Sequence, residues 1–260
     1  MDDLLEGSAA LFGEVLEDDD HICYGPLDLS RAPKEGKANT LLADQLFSPS
    51  LLLAEHIERG IIPLESRTVI ELGAGCALPS LLASVLPKPP SLVVITDYPD
   101  DTIMGNLTKN VETNRKHVSD GCRVHCTGYE WGQDASTLLE FVKQEPFKAS
   151  GFDVMILSDL LHFDRSHDEL IGSLTSLLHK TSSARAYIAA GKYTHPDVCY
   201  HFLQDAEKAG FVLEEGEVER QWQGSLLVKG AALDREQLGV RKNMCRWWTA
   251  RWTKNIVELS

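Results

Sequence analysis

The chain has 260 residues, 43% of them apolar, enough for one sizeable core, so one α/β domain with an N-terminal extension is expected rather than two domains. No run approaches the roughly 18–20 apolar residues of a membrane span, and the acidic N-terminus lacks the basic segment of a secretory signal, so neither membrane nor export is expected. A formal net charge of −14 argues against a nucleic-acid groove; it suits a partner with a basic protein surface, or reflects solubility alone.

Residues 1–20 carry eight acidic side chains and no basic one, and Leu4, Leu5, Leu11, Phe12, Val15 and Leu16 fit a short amphipathic helix or else a solvated tail. Residues 24–40, with Gly25, Pro26, Pro33 and Gly36, read as irregular. A helix is expected over 50–58, a strand over 68–72, a helix over 79–86 stopped by Pro87-Lys88-Pro89-Pro90, and a strand over 92–96. Helix 101–116, strand 122–128, helix 134–144 and strand 153–158 follow, the last apolar throughout as in a strand buried on both faces. Helix 167–180, strand 186–190 and helix 197–209 come next. The end changes character: 211–219 and 243–252 read as two strands joined by a polar stretch with a small apolar run at 226–228. Alternating strands and helices imply a parallel, doubly wound sheet, and two terminal strands with no helix between them imply a closing antiparallel hairpin. The six cysteines are dispersed, without C-x-x-C or Cys/His ligand spacing, so neither zinc nor a disulfide framework is supported. Cys122 and Cys126 would share one face of a strand as buried thiols, and a reduced cytoplasm is the expected setting, with the nucleus as the alternative.

The functional signal is Val-Ile-Glu-Leu-Gly-Ala-Gly-Cys-Ala-Leu-Pro at 69–79. An apolar run ends in the turn Gly73-Ala74-Gly75 and opens a helix, a unit in which glycine lets backbone N–H groups approach a ligand. Asp97 closes the next strand 22 residues after Gly75, where a carboxylate would grip a ribose diol. A dinucleotide fingerprint needs a third small residue where this chain has Leu78, and Glu71 before the turn would repel a pyrophosphate. The same carboxylate tolerates the cationic S-adenosyl-L-methionine, which is therefore the expected cofactor. The bland reading of Glu71 and Asp97 is a pair of ordinary strand-end carboxylates.

These pieces come in a specific order: Leu72-Gly73-Ala74-Gly75 through Leu78-Pro79, then Thr96-Asp97-Tyr98-Pro99-Asp100, Tyr129-Glu130-Trp131-Gly132, and Leu157-Ser158-Asp159-Leu160-Leu161 with His167 beyond. In them the chain resembles the class I S-adenosylmethionine-dependent methyltransferases, specifically the family-16 protein methyltransferases. Within these it is similar to the fungal nicotinamide N-methyltransferase-like group, which includes methyltransferases of translation elongation factor 1-alpha. The resemblance covers roughly residues 40–255 and implies a Rossmann-like, mostly parallel seven-stranded sheet with a C-terminal antiparallel hairpin and helices on both faces. The division it suggests is an acidic extension, 1–40, and a methyltransferase domain, 41–260. Carried over by position, it implies that Gly73, Ala74 and Gly75 pass under the methionine part of the cofactor, with Glu71 just before them and Tyr98 just after Asp97. Asp97 takes the ribose hydroxyls, Trp131 packs beside the adenine, Ser158 lies beside the cofactor, and Asp159 faces the substrate amine. Phe47 stands where the family usually has tryptophan, keeping an apolar wall without the indole donor. The family's Asp-x-x-Tyr or Asp-x-x-Phe reads Asp159-Leu160-Leu161-His162 here, so either Phe163 supplies the aromatic wall or His162 changes the pocket.

The expected reaction is in-line methyl transfer to a neutral amine, a protein lysine or N-terminus, with elongation factor 1-alpha as a candidate substrate, no metal and a monomeric enzyme. A small-molecule amine of the nicotinamide type is the alternative substrate, and a non-catalytic, chaperone-like module the alternative class. Other polar residues have plainer readings. Trp131 also fits a core position, Asp159 a helix cap and His162 a polar rim. His167 fits a helix start, the tryptophans at 247, 248 and 252 fit hairpin packing, and Tyr193-Thr194-His195-Pro196 would line the substrate entrance or simply follow its strand.

Overall fold

The computed structural model describes residues 21–145, 149–230 and 233–259, so the acidic segment 1–20 and its expected amphipathic helix lie outside the described residues. The chain opens with a hairpin, β1 (His21–Tyr24) and β2 (Leu27–Ser30), then helices α1 (Gly36–Thr40) and α2 (Ser48–Glu58). Next come β3 (Thr68–Leu72), α3 (Leu78–Ser84), β4 (Leu92–Asp97), α4 (Asp101–Asn114), β5 (Arg123–Gly128) and α5 (Ser136–Lys143). They are followed by β6 (Val154–Ser158), α6 (His167–Leu177), β7 (Arg185–Gly191), α7 (Pro196–Lys208) and β8 (Phe211–Glu215). The chain closes with β9 (Val228–Lys229), α8 (Arg235–Asn243), β10 (Cys245–Trp252) and α9 (Lys254–Glu258).

The main sheet has seven strands in the order β5-β4-β3-β6-β7-β10-β8. The first five are parallel, and β10 runs antiparallel to both β7 and β8. Alternate strand residues feed two cores. Val69, Val93, Ile95 and Ile156 pack with residues of α2, α3 and α4, whereas Ile70, Val94, Met155 and Leu157 pack with residues of α5, α6 and α7. Helices on both faces explain why β3 and β4 are buried along their whole length and β6 up to Ser158. Pairing also fixes where the strands end. Glu71 is level with Ile95 and Ile156, Leu72 with Leu157, and Asp97 with Gly128. The residues after β3, β4 and β6 therefore emerge together at the carboxyl edge, where ligands sit in open α/β sheets.

Three stretches differ from the sequence reading. The region read as irregular begins with β1 and β2, which with β9 make a second, three-stranded sheet, and continues into α1. Its outer strand β2 is not left open. Asn110 accepts from Ser30 N and donates to Ser30 O, both at 2.8 Å, and Asn114 accepts from Asp28 N at 2.9 Å and donates to Asp28 O at 2.7 Å. Asn106 adds a bond to Ser30 O, so asparagines one helical turn apart on α4 satisfy the strand edge as another strand would. The two closing strands, expected to form a hairpin with no helix between them, are adjacent and antiparallel, but β9 and α8 lie between them. Cys122 and Cys126, expected to be buried, are half-exposed because β5 is the sheet's edge strand.

The segment before α8 is held by carboxylates of α2. Glu55 accepts from Gln223 N; Glu58 accepts from Leu226 N at 2.8 Å, from Ser225 and from Tyr24 Oη at 2.7 Å. Lys242, fully buried, donates to Glu55 Oε1 at 2.9 Å and to Gln221 O at 2.8 Å. Removing one member of a buried ion pair leaves an uncompensated charge, so Lys242→Met should cost about 3–5 kcal/mol in urea denaturation. Adding Glu55→Gln should recover most of the loss. A single variant as stable as the wild type would show that the pair does not hold this segment.

Candidate active site

A cavity of about 260 Å³ lies at the carboxyl ends of β3, β4 and β6. Its floor is the turn Gly73-Ala74-Gly75. Gly73 and Gly75 have φ of +58° and +56°, in the left-handed region that glycine adopts without strain. Space is equally decisive at Gly73: a Cβ there would stand 2.7 Å from Leu160 Cδ2 and 3.2 Å from Trp131 Cζ2. Ala74 N–H donates to Thr96 O at 3.0 Å, tying the turn to β4.

Asp97 and Tyr98 form one side of the cavity. Asp97 Oδ2 accepts from Gly75 N and Oδ1 from Tyr98 N, both at 2.7 Å. Burial raises its carboxyl above the usual range, and the two backbone donors work against that. Each oxygen accepts one of these bonds and has a further lone pair for a ligand hydroxyl. The Tyr98 ring carries Lys37 Nζ of α1 5.4 Å from its centroid.

Trp131 and Phe163 meet edge to face at 5.7 Å and form a second wall. The Trp131 loop is held from α6: Ser173 Oγ accepts from Gly132 N at 2.9 Å and lies 3.1 Å from Tyr129 Oη. His167 Nε2 donates to Leu161 O at 2.9 Å and the ring packs edge-on against Phe202, so this histidine holds the loop after β6. The roof is the 41–47 stretch before α2, through Leu41, Leu42, Ala43, Gln45, Leu46 and Phe47.

Ser158, Asp159 and His162 line the remaining side. Asp159 is buried with φ +62°, a conformation that aspartate tolerates better than most residues. Its N–H donates to Ala189 O at 2.8 Å; Oδ1 accepts from Gly191 N at 3.1 Å and Oδ2 from Tyr193 Oη. Burial raises its carboxyl, against the pull of Tyr193, His162 and Gly191. The His162 ring lies 4.0 Å from that of Phe163 and 6.3 Å from that of Phe47, centroid to centroid. Burial lowers its affinity for a proton, favouring the neutral imidazole, against the pull of the Asp159 carboxylate and backbone. Ser158 Oγ and both ring nitrogens of His162 are buried polar atoms without a well-formed hydrogen bond.

The structure thus brings Phe47, Gly73, Ala74, Gly75, Asp97, Tyr98, Trp131, Ser158, Asp159, His162 and Phe163 to one cavity. Glu71 is not on its wall. It is fully buried beneath the turn, where Oε2 accepts from Ser80 N at 3.1 Å at the start of α3. Sequence reasoning missed the 41–46 roof and Arg241 of α8, which donates to Leu46 O and to Ser48 Oγ and so fixes the backbone around Phe47. No local pattern marks either, because both depend on contacts between distant parts of the chain.

A family model described as lysine methyltransferase matches residues 35–209. The chain is 30% identical over 227 residues to the protein N-terminal and lysine N-methyltransferase efm7 of Neurospora crassa, covering 82% of this chain and 74% of that protein. It is 28% identical over 222 residues to the protein of the same name from Gibberella zeae, covering 78% and 83%. A solved S-adenosylmethionine-dependent methyltransferase from Aquifex aeolicus superposes with a TM-score of 0.51 at 14% identity, over 85% of this chain and 100% of that one, a likeness of fold.

Burial, with the neighbouring Asp97 charge adding to it, raises the Glu71 carboxyl to about 8 despite the bonds from Ser80. An acid that holds its proton more tightly folded than unfolded stabilises the fold fully below the ordinary carboxylate range. That contribution is lost as pH rises to about 8, at roughly 1.4 kcal/mol per unit. Glu71→Gln keeps an acceptor for Ser80 and does not titrate. Its melting temperature relative to the wild type should therefore climb by several degrees between pH 6 and pH 8, read by calorimetry. A difference that stays flat over this range would mean that Glu71 is ionised throughout.

Proposed function

The chain belongs to the lysine methyltransferase family, and we propose that it methylates an amine of a protein, a lysine side chain or a free N-terminus. It is an enzyme of methyl transfer with S-adenosyl-L-methionine as its cofactor. The observation that carries the substrate reading is that one cavity joins two chemistries. One end has a glycine floor with a buried carboxylate, and the other has a second buried carboxylate among aromatic rings.

The first end fits the cofactor. Asp97 presents a lone pair on each oxygen for the ribose hydroxyls, Trp131 and Tyr98 offer ring faces for the adenine, and Gly73 has the close approach that a side chain would block. Ser158 Oγ, otherwise without a partner, is available for a polar group of the ligand. Glu71 acts from beneath, through the turn and the start of α3. When bound, the cofactor supplies a methyl group already activated on a sulfonium. The protein's own work is then to orient the acceptor, exclude water and manage one proton.

At the second end Phe47, His162 and Phe163 line the cavity together with Asp159 and give it an apolar wall. An ammonium enters with a pKa near 10.4 and must lose its proton to become a nucleophile. Asp159 aims it by charge-assisted hydrogen bonding, while desolvation by the rings favours the neutral amine. His162, whose burial favours the neutral imidazole, places its ring nitrogens beside that path. The net charge of −14 supports a substrate with a basic surface, and the motif resemblance makes elongation factor 1-alpha the protein to try first.

Asp97→Ala removes two charge-assisted hydrogen bonds to ligand hydroxyls, at about 1.5–3 kcal/mol each. Affinity for S-adenosylhomocysteine should fall by roughly two to four orders of magnitude in a calorimetric titration. An affinity within a factor of three of the wild type would remove Asp97 from the site.

Incubation of purified elongation factor 1-alpha, and of whole extract, with this enzyme and methyl-labelled cofactor should label protein, at a rate that falls with added salt. Asp159→Asn should lower that rate by about 10²-fold while leaving S-adenosylhomocysteine affinity within threefold. Label found only in small amines would overturn the protein-substrate reading.

A further inference from the structure

Tyr193 lies in the turn between β7 and α7, outside the residues that line the cavity. It nonetheless touches two of them. Its hydroxyl donates to Asp159 Oδ2, and its ring centroid is 6.2 Å from that of Phe47. The residue is 40% exposed, so it reaches from the surface inward to a buried carboxylate. The ring is pressed onto Gly191, where a Cβ would stand 2.1 Å from Tyr193 Cε1. Gly191 N–H is also the donor to the other oxygen of Asp159. The backbone beneath is pinned to the end of α8: Lys192 N donates to Met244 O and Lys192 Nζ to Asn243 O, both at 2.7 Å. This is a built arrangement, with ring, carboxylate and turn each restricting the others.

We propose that Tyr193 is a positioning residue for substrate: its hydroxyl sets the aim and ionisation of Asp159, and its ring closes, with Phe47 and His162, an aromatic collar through which the substrate amine enters. The proposal rests on the methyltransferase reading above. Tyr193 acts only as a donor, because burial and the Asp159 carboxylate both raise its own proton affinity. A carboxylate oxygen that accepts this bond is fixed in direction and holds its negative charge better. The other titratable groups facing Asp159 are His162 on its own loop, Cys199 of α7 and Cys245 of β10, with Arg241 of α8 facing Tyr193 and Cys245. Among the described residues, Tyr193 is the one whose side chain donates a hydrogen bond to a carboxylate oxygen of Asp159.

The first test needs no substrate. Thermal unfolding of the wild type, Tyr193→Phe, Asp159→Asn and the double variant is compared at pH 8 and pH 5. The loss of melting temperature in Tyr193→Phe should be larger at pH 8 than at pH 5, because a hydroxyl bonds an ionised carboxylate more strongly than a protonated one, and should vanish in the Asp159→Asn background. A loss independent of pH and equal in both backgrounds overturns the proposal. The second test uses methyl-labelled cofactor and the protein substrate that the wild type labels. Tyr193→Phe should lower kcat about 10-fold with KM and S-adenosylhomocysteine affinity within threefold, and should move the acid limb of kcat/KM to higher pH. Tyr193→Ala, which also opens the collar, should raise KM for the protein about 10-fold further. Unchanged kcat and acid limb in Tyr193→Phe would overturn the positioning role. A wild type that labels no protein, with the unfolding coupling intact, would sink the protein-substrate reading while leaving Tyr193 in control of Asp159.

Discussion

One carboxylate holds the floor of the cavity in shape. Asp97 binds Gly75 N–H with one oxygen and Tyr98 N–H with the other, so the turn after β3 and the end of β4 cannot move apart. A buried carboxylate is costly unless such donors surround it, and a glycine turn alone has many conformations to choose from. Each thus supplies what the other lacks. The level ends of β3, β4 and β6 put Asp97 within reach of the turn, and Glu71 below steadies the helix that the turn opens.

The two ends of the cavity are assembled differently. The floor is made from consecutive strand–turn units, and Asp97 binds back to Gly75 only 22 positions earlier. The substrate end is made from pieces far apart in the chain: the start of α2, the loop after β6, the turn after β7 and the junction of α8 with β10. A fold can keep one cofactor floor and change its substrate by altering the second group alone, which is why a shared fold says little about substrate.

That division also governs what could be read in advance. The strands of the parallel core, the glycine turn and Asp97 were legible because apolar runs and glycine act locally, and because the end of the second strand is a fixed place in a doubly wound sheet. Trp131, Ser158 and Asp159 came from an ordered motif set, His162 and Phe163 from the place where the chain departs from it, and all line the cavity. The β1–β2 hairpin was missed because β2 is completed by Asn106, Asn110 and Asn114, whose spacing on α4 reads only as a polar helix face. Helix α8 was missed for a similar reason. Its sequence Arg-Glu-Gln-Leu-Gly-Val-Arg-Lys-Asn has almost no apolar stripe, and its most buried cation finds its carboxylate 187 positions away. Glu71 was expected among the cofactor contacts but lies beneath the turn, because no pattern tells whether a strand-end side chain faces the cavity or the helix beneath it.

The Arg241 contact has a consequence for the order in which this protein is made. The guanidinium that fixes the entrance of α2 is 195 positions from the carbonyl it binds. During synthesis the sheet from β3 to β7, with its glycine floor, emerges long before α8 does. The residues of the cofactor's cradle are therefore made before the anchor of the wall that carries Phe47. The wall that carries Phe47 is thus complete only when α8 has folded back onto the start of α2, so the substrate end depends on a piece of chain made after every strand of the parallel core.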